Sequence, residues 1–177
     1  MDESEFFFRL TPDRVLEAVE SGGFHPTGHC TALNALENRV YDVRVDGEGG
    51  DTPHRNLVAK FYRPGRWSRD AILDEHRMLG ALRDAEIPVC APLVFDSGET
   101  LREVEGIFYA LWPRTGGRSP DEFSDAQIEV LGRLLARIHA AGEGVAAPHR
   151  LELCSQTFPL AALEALERGA FLPPACA

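Results

Sequence analysis

A lysine and a glutamate fifteen residues apart, each on a face that ought to be apolar, constrain this chain more than any other feature. Lys60 lies in the run Leu57-Val58-Ala59-Lys60-Phe61-Tyr62, which reads as a strand. Glu75 falls on the apolar stripe of the helix that follows, where Ile72, Glu75, Leu79 and Leu82 recur at helical spacing and share one side. A charge on a buried face is costly unless paired. Each of the two therefore needs the other, or a charged ligand.

The segments around this pair fall into a clear order. Thr11-Pro12 opens a first helix, with threonine as N-cap and proline at the first position, and Gly22-Gly23 stops it. An extended segment from about Cys30 to Leu36 leads into a half-buried strand over Glu37 to Val45, where Tyr41, Val43 and Val45 alternate with Asp42 and Arg44. The glycine-rich stretch Asp46 to Pro53 reads as a hairpin connection, so the Lys60 strand returns antiparallel. Ser68 caps the Glu75 helix, which runs to about Ala85. A strand near Leu93 to Phe95, a turn at Asp96-Ser97-Gly98-Glu99 and an apolar strand from Ile107 to Trp112, ended by Pro113, complete the first part.

Arg114-Thr115-Gly116-Gly117-Arg118-Ser119-Pro120 is the best linker candidate. Beyond it Ser124 and Gln127 form a capping box for a helix bearing Ile128, Leu131, Leu135 and Ile138, stopped by Gly142. A short helix with Leu160, Leu163 and Leu166 precedes Gly169. The predicted class is α+β: an antiparallel sheet of about five strands with one packed helix over residues 1–113, a hinge over 114–120, and the first helices of an incomplete helical lobe over 121–177. Both leucine-rich stripes need a partner surface.

Composition narrows the partners. The net charge of −10 argues against a broad nucleic-acid or anionic-membrane surface, though nucleotide binding needs only local positive groups. The four cysteines are scattered without a C-x-x-C pair, and no apolar run approaches membrane-spanning length, so the expectation is a cytoplasmic protein with reduced thiols. His25 and His29 beside Cys30 suggest a metal site, but Pro26 and Gly28 point to an irregular loop there. His139, in a last helical turn, is a favourable partner of the helix dipole.

A strand lysine held by a helix glutamate is how kinase-type folds present an ammonium to nucleotide phosphates. The plainer readings are a strand-end lysine whose stem snorkels to water, and a glutamate bonded to Arg69 or Arg77. Three stretches bear on the choice: Leu33 to Tyr41, the string Lys60-Phe61-Tyr62-Arg63-Pro64-Gly65-Arg66-Trp67 with Glu75-His76, and Gly116-Gly117-Arg118. Together they resemble the amino-terminal half of bacterial stress-response serine/threonine kinases, within the aminoglycoside phosphotransferase/choline kinase-like superfamily. The resemblance runs from about Phe6 to the end.

What the resemblance implies is specific. Lys60 would contact the α- and β-phosphates of ATP and Glu75 would orient it. Asn38 and Arg39 would lie over the phosphates, and Trp112 and Pro113 would border the adenine. For Asn38 and Arg39 an ordinary solvated strand start is an equal reading. The Asn34–Asn38 loop lacks Gly-x-Gly-x-x-Gly, so the close backbone approach that glycine allows is not available there.

The same family places an aspartate base, an asparagine and a metal-binding aspartate in later loops, and no such His-Gly-Asp-x-His-x-x-Asn string occurs in this sequence. No catalytic residue and no metal ligand is therefore assigned, and the Mg²⁺ ligands are expected outside these residues. The expectation is an ATP-binding lobe of a protein Ser/Thr kinase, inactive alone, from a truncated copy, an interrupted gene or an incomplete record of a longer polypeptide. Two alternatives stay open: a kinase of an aminoglycoside, choline or homoserine-like alcohol, and a non-catalytic nucleotide-sensing module.

Overall fold

The computed structural model describes residues 7, 9–47, 54–117 and 120–169, which fall in two compact units, Met1–Ala147 and Pro148–Ala177. Most of the glycine-rich hairpin connection, Arg118 and Ser119 of the linker, and the chain end from Ala170 lie outside the described residues.

In the first unit α1 (Pro12–Ser21) begins as its sequence dictates. Thr11 is extended and its hydroxyl accepts a hydrogen bond from the Arg14 N–H. The helix ends at Gly23, whose φ of +89° lets its N–H reach Glu20 O while the Phe24 N–H reaches Val19 O. Then come β1 (Pro26–Leu33), β2 (Arg39–Asp46), β3 (His54–Phe61), α2 (Arg69–Asp84), β4 (Arg102–Val104) and β5 (Ile107–Pro113). The strands form one five-stranded sheet in the order β1-β2-β3-β5-β4, antiparallel throughout. The class is α+β.

Strand side chains alternate between two covered faces. Val43, Val45, Leu57, Phe61, Tyr109 and Leu111 make one buried cluster with Val15, Ala18 and Val19 of α1. The Tyr109 hydroxyl bonds to Ala18 O at 2.9 Å, fixing α1 to β5. On the opposite face Tyr62, Ala110 and Trp112 cluster with Ile72 of α2 and with Leu101. Each helix thus has its own side of the sheet, and Lys60 belongs to the α2 side.

Three local expectations are corrected. Residues Leu93 to Phe95 are not a strand: Leu93 donates one bond to Leu111 O at 2.7 Å, but Pro92 has no N–H to offer and the Phe95–Glu99 turn follows at once. The fifth strand is instead β4, joined to β5 through Glu105 and Gly106, both at positive φ, as a tight hairpin requires. At the other edge, β1 starts at Pro26 rather than Cys30. Its register shifts between Pro26 and Cys30, where Gly28 takes φ +88°, so the expected irregular loop is a bulged strand.

In the same unit Ser124 and Gln127 form the expected capping box at the start of α3 (Asp125–Gly142). Arg137 of α3 donates to the Ala85 and Glu86 carbonyls at the end of α2, at 3.3 and 3.0 Å, satisfying acceptors that a helix end leaves open. Ile128, Leu131 and Leu135 are exposed among the described residues. In the second unit a π-helical turn, Gln156–Leu160, runs into α4 (Ala161–Arg168), with Leu163 and Leu166 exposed. No helix among the described residues is long and apolar enough to cross a membrane.

Candidate functional site

Lys60 projects from the centre of the sheet because it sits on β3 between Val40 of β2 and Ala110 of β5. Its Nζ lies 3.4 Å from Glu75 Oε1 of α2, with the two side chains 24% and 31% exposed. The ammonium also lies over two rings, 4.4 Å from the Tyr62 centroid and 5.5 Å from that of Trp112. Both distances are within cation–π range, about 6 Å. An ion pair this open to water is worth about 1 kcal/mol or less, so stability alone does not explain charges at the junction of strand and helix. The plainer partners of Glu75 are taken up elsewhere: Arg69 pairs with Glu99 at 3.7 Å, and Arg77 bonds to the buried Asp74.

The stripe reading of α2 is only half right. Ile72 and Leu82 are buried, but Glu75 and Leu79 are partly exposed, and the buried polar residues are Asp74 and His76. His76 is 5% exposed, with Nε2 3.0 Å from the Tyr62 hydroxyl and Nδ1 2.8 Å from Thr100 Oγ1. Its ring meets Trp112 edge-on at 5.8 Å. Burial chiefly, with a lesser push from Lys60 against a pull from Glu75, lowers its pKa from 6.5 to about 4, so the imidazole is neutral near pH 7.

The turn between β1 and β2 is tied to the segment between β3 and α2. Asn38 Oδ1 accepts from the Arg63 N–H at 3.1 Å. Glu37 accepts from Arg66 Nε and from Trp67 Nε1, each at 3.2 Å, and the Arg66 bond first, then the indole bond, hold its carboxyl below the usual range. The members of the Lys60–Trp67 string thus have separate places: Lys60 the ammonium, Phe61 a core ring, Tyr62 the partner of His76, and Arg63, Arg66 and Trp67 the latch.

Of the six sequence-predicted site residues, the structure brings Lys60, Glu75 and Trp112 together. Arg39 is a correction: it is in register with Phe61, so it points to the α1 side, and its guanidinium lies 4.9 Å from the Phe7 ring centroid. Asn38 serves the turn latch. Pro113 ends β5 opposite Leu57 and is exposed. Two groups were given no role from the sequence. One is His76. The other is Asp42, which accepts from Asn56 Nδ2 at 2.7 Å and lies 3.5 Å from Arg114 Nε, tying the start of the linker to the Lys60 side of the sheet. His76 was legible in principle, being one helical turn past Ile72; nothing in the spacing pointed to Asp42.

Among the described residues no three His, Cys, Asp or Glu side chains could hold a metal ion, so no Mg²⁺ ligand is assigned to them. His29 and Cys30 are separate positions on β1, with His29 Nε2 3.4 Å from Thr31 Oγ1. A partly exposed ammonium lying over two aromatic rings does suit the phosphates and base of a nucleotide.

The sequence profile of the phosphotransferase enzyme family matches residues 29–171. The chain belongs to that family. It is 38% identical over 151 residues to stress response kinase A of Escherichia coli K12, covering 85% of this chain and 44% of that protein. It is 39% identical over 143 residues to the serine/threonine protein kinase RdoA of Salmonella typhimurium, covering 80% and 42%. The chain therefore spans less than half the length of these curated relatives. Among solved structures, a spectinomycin phosphotransferase in complex with ADP and spectinomycin superposes with a TM-score of 0.61 at 11% identity, covering 89% of this chain and 46% of that one. An amicoumacin kinase in complex with AMP-PNP and Ca²⁺ gives 0.59 at 17% identity, covering 89% and 53%. At such identities the likeness concerns the fold, a kinase-like amino-terminal lobe.

Proposed function

We propose that the phosphotransferase lobe formed by this chain binds ATP, and that the donor side of a protein serine/threonine kinase is built on it. The observation that carries the reading is the Lys60–Glu75 contact between the central strand and the helix packed on it. Lys60 holds the α/β-phosphates, and Glu75 keeps the ammonium from turning toward solvent. The base lies against Trp112, with Pro113 at its edge, and Asn38 shapes the turn over the phosphates through its bond to Arg63. Arg39 has no part in it.

Bound Mg²⁺ would spread the charge of the transferred group, but none of the described residues is assigned to it, and the sequence has no string of the kind that carries the hydroxyl-orienting aspartate. The 177-residue chain alone transfers no phosphate in this reading, and the acceptor hydroxyl is met by residues outside these 177. Protein serine or threonine is favoured as acceptor by the two curated relatives, whose names are those of a stress response kinase and a serine/threonine kinase. The first of these names favours a role in stress response, which this reading sets in the cytoplasm.

Titration with a fluorescent ATP analogue tests the donor side. Lys60→Met should abolish binding; unchanged affinity would refute the reading. Radiolabel transfer by a full-length polypeptide, offered proteins and small alcohols in parallel, tests the acceptor. Label on an aminoglycoside or amino alcohol and none on protein would overturn the serine/threonine assignment.

A further inference from the structure

His76 lies behind the two rings that the Lys60 ammonium rests on, and its contacts converge on them. A neutral imidazole has one N–H and one bare nitrogen. The Tyr62 hydroxyl at 3.0 Å and the Thr100 hydroxyl at 2.8 Å take one each, since a hydroxyl can give or accept. Both nitrogens are thus engaged.

The ring does fix its neighbours. Tyr62 is held by its hydroxyl and Trp112 by the perpendicular edge contact at 5.8 Å. These are the two rings that lie beneath the Lys60 ammonium. Thr100 ties the same imidazole to the loop before β4, so the arrangement is braced from helix, strands and loop together. Glu75, one residue earlier on α2, pairs with the ammonium at 3.4 Å and leaves the Lys60 side chain 24% exposed.

We infer that His76 is a positioning residue for Lys60: it locks both walls of an aromatic cage from behind and so holds the ammonium ready for a nucleotide phosphate. The inference rests on the nucleotide-binding reading above. Lysine has a long, freely rotating stem, and a stem already held loses less freedom when its ligand arrives. Affinity is gained without any contact between His76 and the nucleotide.

The test titrates the trinitrophenyl analogue of ATP against the 177-residue chain, its Lys60→Met variant, His76→Phe, Tyr62→Phe and the double variant. Thermal unfolding and the Lys60 ε-methylene proton shifts are measured in parallel. Each single variant should weaken analogue binding by about tenfold, the effect of one buried hydrogen bond, and the double variant by little more, because both act through one contact. Ring currents place the ε-methylene protons upfield, and both variants should move them toward the free-lysine position. His76→Gln, whose side-chain amide can still bond to the Tyr62 hydroxyl, should recover much of the affinity.

If both variants lower the unfolding midpoint while affinity and lysine shifts stay at wild-type values, His76 is only a structural residue and the inference fails. Tyr62→Phe keeps the ring and decides the matter even if His76→Phe does not fold. Unchanged binding by Lys60→Met would sink the nucleotide reading instead, and the lysine shifts would still show whether His76 sets the cage.

Discussion

Acid should loosen the first unit through His76. The folded state lowers the pKa of this imidazole from 6.5 to about 4, mainly by burial. The unfolded chain therefore binds the proton more readily, and stability must rise with pH over that interval. The contribution is fully present above pH 6.5 and is lost as pH falls toward 4. At 1.36 kcal/mol per unit the whole effect is about 3 kcal/mol, of which about 2 kcal/mol falls between pH 7 and pH 5. Glu75 and Lys60, the charged groups beside the ring, act on it in opposite directions and leave burial in control. Trp67 and Trp112, both in this unit, are the only tryptophans, so their fluorescence during urea unfolding reports on it. Wild type should lose about 2 kcal/mol more than His76→Gln on going from pH 7 to pH 5. Equal losses, or an imidazole that titrates near 6.5 in an NMR experiment, would refute the reasoning.

Phe61 is fully buried and stacked on Tyr109 at a centroid distance of 5.4 Å, so Phe61→Ala should cost about 3–5 kcal/mol in the same urea assay. Gly23→Ala forces a left-handed φ of +89° on alanine and puts a Cβ 2.7 Å from Asp96 Oδ2. That should destabilise the unit by about 1–2 kcal/mol, measurable as a lower denaturant midpoint. Ser124→Ala removes one half of the capping box, and the amide of Gln127 should exchange with deuterium roughly fivefold faster, the effect of a cap worth about 1 kcal/mol.

Elements fixed by chemistry between near neighbours were readable from the chain. Thr11-Pro12, Gly22-Gly23 and the Ser124/Gln127 box each carry their own stop or start, and the structure has all three. The Lys60–Glu75 contact was readable because two charges among apolar neighbours, even half-covered ones, gain from pairing. The α2 interior was not, because a search for apolar stripes passes over Asp74 and His76, polar residues buried with a hydrogen-bond partner each. β4 escaped because three residues, two of them charged, make no periodic pattern, and its pairing depends on a Glu105-Gly106 turn that carries only one glycine. Arg39 was misplaced by a single-residue matter of register: in a strand, the neighbour of an outward residue faces inward. The Asp42–Asn56–Arg114 network joins positions far apart in the chain, so no local pattern could announce it.

The latch between Glu37 and the Arg66-Trp67 end of the strand-to-helix junction has a consequence for how such chains can vary. With Lys60 committed to Glu75, Tyr62 to His76, Arg63 to Asn38, and Arg66 and Trp67 both to Glu37, adding or deleting one residue among them would shift every later commitment out of reach. That stretch can change its letters only in concert and its length hardly at all. Descendants of a common ancestor should then differ most in the loops on either side, while keeping this short spacer as a fixed ruler between sheet and helix.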